Sequence, residues 1–197
     1  GEKVMKIDRA ETLRYLGFRG QELSAADERN LARAEELCLS AATPRTVWAR
    51  YDFDCAAMTP VGSGVVFRGN AIKRHLAGCR AVYLIAATLG LGLDKTIAGL
   101  MRTEPAVGVM TDAAAVSYIE SVLDDLTADL AAREHGRLTR RFSCGYADFP
   151  LEQQTDFMRL LDMGRKLGVF IGADYLMTPQ KTVTAVIGVR EGEEKKS

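Results

Sequence analysis

Histidine is scarce in this chain of 197 residues, which contains only His75 and His135. Two histidines so far apart exclude a cluster of imidazole metal ligands, and they leave a histidine-based catalytic triad without support. His75 is expected near the end of a short helix, as a structural residue. We therefore predict no metal site.

Cysteine is sparse as well, and its four positions show no CxxC or His-x-Cys spacing, which excludes the common zinc patterns. Cysteines this far apart indicate free thiols in a cytosolic protein, and three of them are expected to be small buried hydrophobes. The fourth, Cys144, stands close to Arg141, which leaves open a reactive thiol with a lowered pKa. The positions are Cys38, Cys55, Cys79 and Cys144.

An excess of charge of either sign is missing, because 26 Lys and Arg balance 26 Asp and Glu. Without a basic field, nucleic-acid binding is disfavoured. No apolar run looks long enough to cross a bilayer, and the chain does not open on the apolar core of a signal peptide. We expect a cytoplasmic protein without membrane contact. The turn Gly62-Ser63-Gly64 lacks the lysine that would follow in a phosphate-binding loop.

The chain does contain the periodic apolar sequence of an ordinary globular protein, with 47% hydrophobic residues. Asp8 and Ser24 stand where capping residues precede helical patterns. Residues 46–54 alternate between apolar and polar side chains, which predicts a half-buried strand. The apolar runs 81–89 and 183–189 predict buried strands, the first of them central in a sheet.

Other elements are predicted from shorter signals. Residues 65–67 suggest a short strand that leads into a helix capped by Asn70. A long helix is expected over 105–133, loosened near Gly108, and an amphipathic helix over 151–161. The apolar set that marks the buried face of the long helix is Val116, Ile119, Val122, Leu123, Leu126 and Leu130.

Strands and helices do not alternate strictly along the chain, and the longest helix lies mid-chain. This order favours an α+β fold over a doubly wound one. We predict a single domain over 1–197, in which helices flank a twisted, mainly antiparallel sheet. The charged tail 191–197 is expected to fray.

The chemically richest stretch is Arg141–Pro150, which reads Arg-Phe-Ser-Cys-Gly-Tyr-Ala-Asp-Phe-Pro. A guanidinium, a hydroxyl, a thiol, a phenol and a carboxylate within ten residues are unusual for a connection. Gly145 allows a tight turn or a close approach to a ligand. We expect Arg141 and Tyr146 to face one cavity. The alternative is a plain connector whose arginine pairs with a surface carboxylate.

Three further motifs follow this stretch along the chain: Asp-x-Pro-Leu-Glu-x-Gln, Leu-Leu-Asp, and Leu-Met-Thr-Pro-Gln-Lys-Thr. Upstream stand the segments 13–17, 75–79 and 84–90. Together with Arg-Phe-Ser-x-Gly-Tyr, these pieces resemble the activation (reactivation) domain of cobalamin-dependent methionine synthase, in its free-standing or truncated bacterial form. The resemblance covers nearly the whole chain. It implies a single α+β domain with a shallow ligand groove.

The resemblance also implies a site for S-adenosylmethionine. Arg141 matches the arginine that holds the ligand's carboxylate, which a planar guanidinium grips with two hydrogen bonds. Ser143 and Gly145 match loop positions against the ligand, and Tyr146 matches the tyrosine that faces the corrinoid. Glu120 matches a glutamate of the site, where a carboxylate would attract the sulfonium charge.

The residues alone leave alternatives open for these carboxylates. Glu120, with Asp124 and Asp125, also fits a solvated helix face. Glu134, shortly before the loop, is a weaker candidate for the site.

The activity implied is the reductive methylation, or reactivation, of cob(II)alamin on a separate corrinoid-bearing methionine synthase or methyltransferase. S-adenosylmethionine would give the methyl group, and a flavodoxin-type donor would give an electron, so the resemblance implies no catalytic acid or base. The chain lacks the Asp-x-His-x-x-Gly pattern that binds the corrin, so cobalamin is expected on the partner chain. The protein would then be one component of a methyltransferase activity in methionine biosynthesis.

Departures from the family pattern favour a second reading. Cys144 replaces a proline, and Ala147 stands where glycine is common. Gly172-Ala173-Asp174 replaces Thr-Glu-Ser, which removes a hydroxyl and displaces a carboxylate. The alternative is a non-catalytic docking or sensing module that binds a corrinoid protein or a nucleoside ligand.

Overall fold

The computed structural model describes residues 7–192. The chain divides into two compact units. The first comprises the described residues within Gly1–Arg45, Thr88–Asp125 and Thr178–Thr182, and the second those within Thr46–Ala87, Leu126–Met177 and Val183–Ser197. The single domain over 1–197 stays a prediction. The tail predicted to fray lies outside the described residues from position 193 onward.

In chain order the elements are α1 (Arg9–Tyr15), α2 (Ala25–Ala41), β1 (Arg45–Asp54), β2 (Thr59–Pro60), α3 (Asn70–His75), β3 (Cys79–Thr88), α4 (Leu91–Thr103), α5 (Pro105–Arg133), β4 (Arg137–Leu138), a 3₁₀ turn (Leu151–Gln153), α6 (Gln154–Leu160), α7 (Met163–Leu167), β5 (Phe170–Ile171), β6 (Met177–Thr178) and β7 (Thr182–Arg190). This mixture of helices and strands confirms the α+β class.

Two helices of the first unit begin at the predicted caps. The Asp8 carboxylate accepts the backbone N–H groups of Ala10 and Glu11, and α1 follows. The Ser24 hydroxyl accepts the N–H of Asp27, and α2 follows. In both cases a side chain satisfies amides that the first helical turn leaves without a partner.

Gly108 does not loosen α5, which is continuous from its first residue, so that prediction is wrong. A Cβ atom on Gly108 would lie 2.9 Å from the backbone nitrogen of Met101. The glycine therefore serves close packing against the end of α4. Around this contact the core of the unit contains Leu31, Ala34, Leu100, Val107 and Met110.

Helix α5 buries the face that its apolar pattern predicted, except that Val116 is only half-buried. By length and composition, α5 is also long enough and apolar enough to cross a membrane, and it is one such helix among the described residues. The expectation that no apolar run reaches that length is therefore wrong. About two-thirds (67%) of its most apolar window is buried, as in the core helix of many soluble proteins. The cytoplasmic location and the absence of membrane contact stay predictions.

The second unit contains a five-stranded, mainly antiparallel sheet in the order β2-β1-β3-β7-β4. β3 is its central strand and is buried along nearly its whole length, as predicted. β1 pairs with β2 through Phe53 and Pro60, and β4 pairs with β7 through Leu138 and Val189. The alternation predicted over 46–54 is present, because the odd-numbered side chains of β1 are the less exposed ones.

Some short elements of this unit differ from prediction. Residues 65–67 form no strand, and Thr59–Pro60 pairs with β1 instead. The predicted helix over 151–161 begins as a 3₁₀ turn, and a left-handed residue, Asp162 (φ 49°), separates α6 from α7. Asn70 does not cap α3, because the N-cap position is Gly69.

The chain's single tryptophan, Trp48, lies on β1 in the second unit. Its ring meets the ring of Tyr83 edge-on, with 5.7 Å between the centroids. The guanidinium carbon of Arg133, the last residue of α5, lies 5.5 Å from the Trp48 ring. A cation over an aromatic face adds attraction to this packing.

Candidate functional site

The loop Arg141–Pro150 begins on an edge segment that runs along β7. Leu138 pairs with Val189, and further on Phe142 pairs with Val186. Three residues on the edge segment therefore stand opposite two on β7, which is a β-bulge. Bulges redirect the side chains that follow them and are frequent beside functional sites.

The bulge determines which side chains face the core. Phe142 exchanges both backbone hydrogen bonds with Val186, each 2.9 Å long, and its ring lies in the core. Because side chains alternate along an extended segment, Arg141 and Ser143 point to the opposite face. The Nη1 atom of Arg141 donates to the Thr127 hydroxyl on α5 at 3.3 Å.

The loop then turns tightly around Gly145, which has a φ of 86°. The Gly145 N–H donates to the carbonyl of Phe149 at 2.8 Å, and the Tyr146 N–H donates to the carbonyl of Ser143 at 3.2 Å. The Ser143 hydroxyl donates to the carbonyl of Thr184 at 2.6 Å. These bonds give a small, closed loop joined directly to β7.

Tyr146 stands at the surface of this loop with 68% of its area exposed. Its ring meets the ring of Phe142 edge-on at 5.3 Å, and Phe142 is itself buried. The Tyr146 ring therefore packs against the buried Phe142 ring and is otherwise open to solvent. Arg141, Ser143, Gly145 and Tyr146 accordingly belong to one loop of the second unit.

Cys144 lies in the same loop, but its side chain is buried. Burial raises its thiol pKa to about 12. A thiol with so high a pKa is almost entirely protonated at neutral pH and is a poor nucleophile. The reactive-thiol alternative is therefore wrong.

Glu120 lies in the first unit, where it lines a cleft of about 360 Å³. Four carboxylates in this wall make the cleft acidic. Among them, Asp8 caps α1, and Glu11 pairs with Arg14 at 2.7 Å. Along the described chain no group of side chains suited to a metal ion occurs. The full lining is Asp8, Glu11, Arg14, Tyr15, Ser117, Glu120, Ser121 and Asp124.

Over 97% of its length this chain resembles the crystal structure of the MetH reactivation domain bound to AdoHcy, with a TM-score of 0.66. The match covers 76% of that chain at 13% sequence identity. The two proteins share a fold. The resemblance that the motifs predicted is thereby confirmed at the level of fold.

No protein-family model and no curated protein matches the chain. At 13% identity the likeness to the MetH reactivation domain concerns the fold alone. The roles given to Arg141, Ser143, Gly145, Tyr146 and Glu120 therefore stay predictions.

Glu134 contacts residues of the sheet and does not belong to the loop. Its Oε1 atom accepts hydrogen bonds from Arg50 at 2.5 Å and Tyr83 at 2.7 Å. Arg80 adds a longer contact of 3.7 Å to the other oxygen. This carboxylate is engaged with the sheet of the second unit, which speaks against the weaker suggestion that it belongs to the ligand site.

The departure at Gly172-Ala173-Asp174 lies in the turn between β5 and β6. The Asp174 carboxylate accepts the backbone N–H of Leu176 at 3.1 Å. A Cβ atom on Gly172 would lie 2.8 Å from the same carboxylate, so this side chain folds back over its own turn. The displaced carboxylate is thus used locally.

Asp148 is the residue of this loop that sequence reasoning missed. Its carboxylate accepts the N–H groups of Asn70 and Ala71 at the start of α3. The signal available in the sequence was that the helix begins at Asn70 directly after Gly69. Because Gly69 has no side chain, the cap had to come from elsewhere in the chain. His75, at the other end of α3, contacts the carbonyl of Arg140 at 2.7 Å, which agrees with its predicted structural role.

Proposed function

We propose that this protein binds S-adenosylmethionine at the loop Arg141–Pro150. We further propose that it supports reductive methylation of cob(II)alamin on a separate corrinoid-bearing methionine synthase or methyltransferase. Cobalamin would arrive on that partner, and the electron would come from a flavodoxin-type donor. S-adenosylmethionine supplies the methyl group, and the chain's own residues hold and orient it. The shared fold with a domain crystallised with AdoHcy supports the proposal.

The observation that carries the proposal is the contrast between Arg141 and Tyr146 within one hydrogen-bonded loop. Arg141 is half-buried and points away from the core-facing Phe142. A guanidinium in such a place suits the carboxylate of an amino-acid moiety, because it offers several N–H donors in one plane.

Tyr146 has the opposite setting. Large aromatic rings usually bury most of their area, and 68% exposure on a closed, hydrogen-bonded loop leaves a flat apolar surface open. Such a surface suits contact with a corrin ring. Ser143 would meet the ligand through its backbone, and Gly145 permits close approach because it has no side chain. That Glu120 serves the same ligand stays a prediction.

Isothermal titration with S-adenosylmethionine and with S-adenosylhomocysteine tests the proposal. Arg141→Ala should weaken binding at least tenfold, because a hydrogen bond to a charged group contributes about 1.5–3 kcal/mol. Arg165→Ala is the matched control, since this arginine pairs with Asp162 on the surface of α7. Absence of binding by the parent protein would remove the proposal. Equal binding by parent and Arg141→Ala would remove the role of Arg141.

A second function is favoured by the turn at Asp174. Because its carboxylate accepts a backbone N–H in its own turn, this segment offers less to a ligand than the family pattern does. The protein would then be a non-catalytic docking or sensing module for a corrinoid protein or a nucleoside ligand. Loss of the cob(II)alamin absorbance, followed with a reductant, S-adenosylmethionine and a corrinoid domain, separates the two. A module that binds without accelerating this loss fits the second function.

A further inference from the structure

The C-terminal side of the loop is fastened to the start of α3. Oδ2 of Asp148 lies 2.6 Å from the backbone nitrogen of Asn70, and Oδ1 lies 2.9 Å from that of Ala71. These are the first amides of α3, which lack partners within the helix. The preceding residue, Gly69, has no side chain to cap them. The cap therefore comes from Asp148, which lies 78 positions after Asn70 in the sequence.

Gly69 is shaped for this contact in two ways. Its φ of 121° lies in a region that side-chain-bearing residues rarely adopt. A Cβ atom at this position would lie 2.6 Å from the backbone oxygen of Asp148 and 3.1 Å from its Oδ1 atom. Any larger residue would push the loop away from α3.

The loop has a backbone that needs such support. Ala147, directly before Asp148, has a φ of 50°, a left-handed conformation that is unfavourable for a residue with a Cβ atom. Tyr146, one residue earlier, is mostly exposed, with its ring against Phe142. On the N-terminal side the pairing of Phe142 with β7 holds the loop. On the C-terminal side Asp148 and the buried Phe149 do so.

We propose that Asp148 and Gly69 form a positioning pair that fixes the backbone of residues 145–147 and so presents Tyr146 in one orientation. Asp148 does not need to touch the ligand for this role. The inference rests on the proposed function for its consequence, because an oriented Tyr146 matters where the loop meets a ligand or a corrinoid. The bonds of Asp148 to α3 do not depend on that function.

Amide hydrogen exchange tests the positioning without any ligand. In Asp148→Ala both bonds to α3 are lost, and in Gly69→Ala the carboxylate remains but the backbone is forced apart. We expect the Gly145 and Tyr146 amides to exchange at least tenfold faster in both variants. The Phe142 amide, bonded to β7, should keep its protection. Asp148→Asn, which keeps the shape and one acceptor oxygen, should give a smaller change.

Ser24→Ala is the matched control, because it removes the cap of α2 in the first unit. It should lower stability by a similar amount and leave the Gly145 and Tyr146 amides unchanged. If Asp148→Ala accelerates only the amides of α3, or changes the loop no more than Ser24→Ala does, Asp148 is merely a helix cap. That result would overturn the proposal.

Titration with S-adenosylhomocysteine provides the second readout. If the parent binds it, Asp148→Ala and Gly69→Ala should bind at least fivefold more weakly, with Asp148→Asn in between. Unchanged affinity in all three would overturn the positioning role. If the parent itself does not bind, the proposed function fails, and the exchange rates alone decide whether Asp148 holds the loop. Circular dichroism of each variant checks that the fold is intact.

Discussion

Arg50 and Glu134 meet across 84 positions of sequence, with the Nε atom of the arginine 2.5 Å from Oε1 of the glutamate. Only 8% of the Glu134 side chain is exposed, and the Tyr83 hydroxyl donates to the same oxygen. The glutamate directly follows α5, whereas its partners lie on β1 and β3. The pair therefore joins the end of the helix to the sheet.

Replacing Glu134 by glutamine should destabilise the protein by about 1–3 kcal/mol. The substitution keeps the volume, but it leaves Arg50 with a neutral partner in a largely enclosed place. Urea denaturation measures the change. Asp52→Asn is the matched control, because Asp52 contacts the same Arg50 at 3.5 Å with an 81% exposed side chain. Exposed pairs contribute little, so its effect should stay below about 0.5 kcal/mol. Equal effects of the two variants would contradict the prediction.

The same glutamate should make stability depend on pH in the acid range. The hydrogen bond from Arg50, followed by that from Tyr83, lowers the pKa of Glu134 below its ordinary value of 4.5, against the opposing effect of burial. A lowered pKa gives stability that is complete above 4.5 and lost as the pH falls through the lowered pKa. The stability difference between parent and Glu134→Gln should therefore be constant near neutrality and shrink below that value. Urea denaturation at several pH values measures it. A difference that grows on acidification would contradict this sign.

Ala147→Gly should stabilise the protein by roughly 0.5–1 kcal/mol. Ala147 has a φ of 50°, where a Cβ atom is unfavourable, and glycine removes that strain at some loss of chain entropy. The reverse change, Gly145→Ala, should destabilise by about 1 kcal/mol or more, because Gly145 has a φ of 86° and its added Cβ would lie 3.2 Å from Leu151. Thermal unfolding of both variants measures the pair. Shifts of the same sign would contradict it.

The cysteines should differ in reactivity according to burial. Burial raises the thiol pKa of Cys144 to about 12, and that of Cys38 also to about 12, so both are protonated at pH near 8. Cys55 is half-buried and should react with iodoacetamide first. Mass spectrometry of the labelled native protein checks the order, and labelling in denaturant should reach all four cysteines. First labelling of Cys144 in the native state would contradict the burial argument.

Helix starts could be predicted where the capping side chain is adjacent to the helix. Asp8 and Ser24 directly precede α1 and α2, and their side chains accept amides two or three residues ahead. The alternation in β1 was equally visible, because one face of that strand packs in the core. These signals are local, so the sequence contains them in full.

The start of α3 could not be predicted in the same way. Asn70 is the nearest residue of capping type, but the carboxylate that accepts the helix amides belongs to Asp148. A cap from so far along the chain leaves no mark in the local pattern. The continuity of α5 at Gly108 has the same kind of cause, since a tertiary contact with Met101 outweighs the weak helix propensity of glycine.

In the candidate site, too, the local features could be predicted and those that depend on distant contacts could not. The residue types of the loop were visible in the sequence, and so was the order of motifs that led to the correct fold. The bulge between Leu138 and Phe142 was not visible, because it depends on the pairing of Phe142 with Val186. That pairing is set by the register of distant strands, and it decides which side chains of the loop face outward.

The position of Trp48 has an optical consequence. Because the chain contains one tryptophan, in contact with Tyr83 and Arg133, its emission reports on the sheet-containing unit alone. Far-ultraviolet dichroism, in contrast, records the helices of both units. Superimposable unfolding curves from the two signals would mean that the whole chain unfolds in one cooperative step. Separated midpoints would mean that the two units unfold at different temperatures.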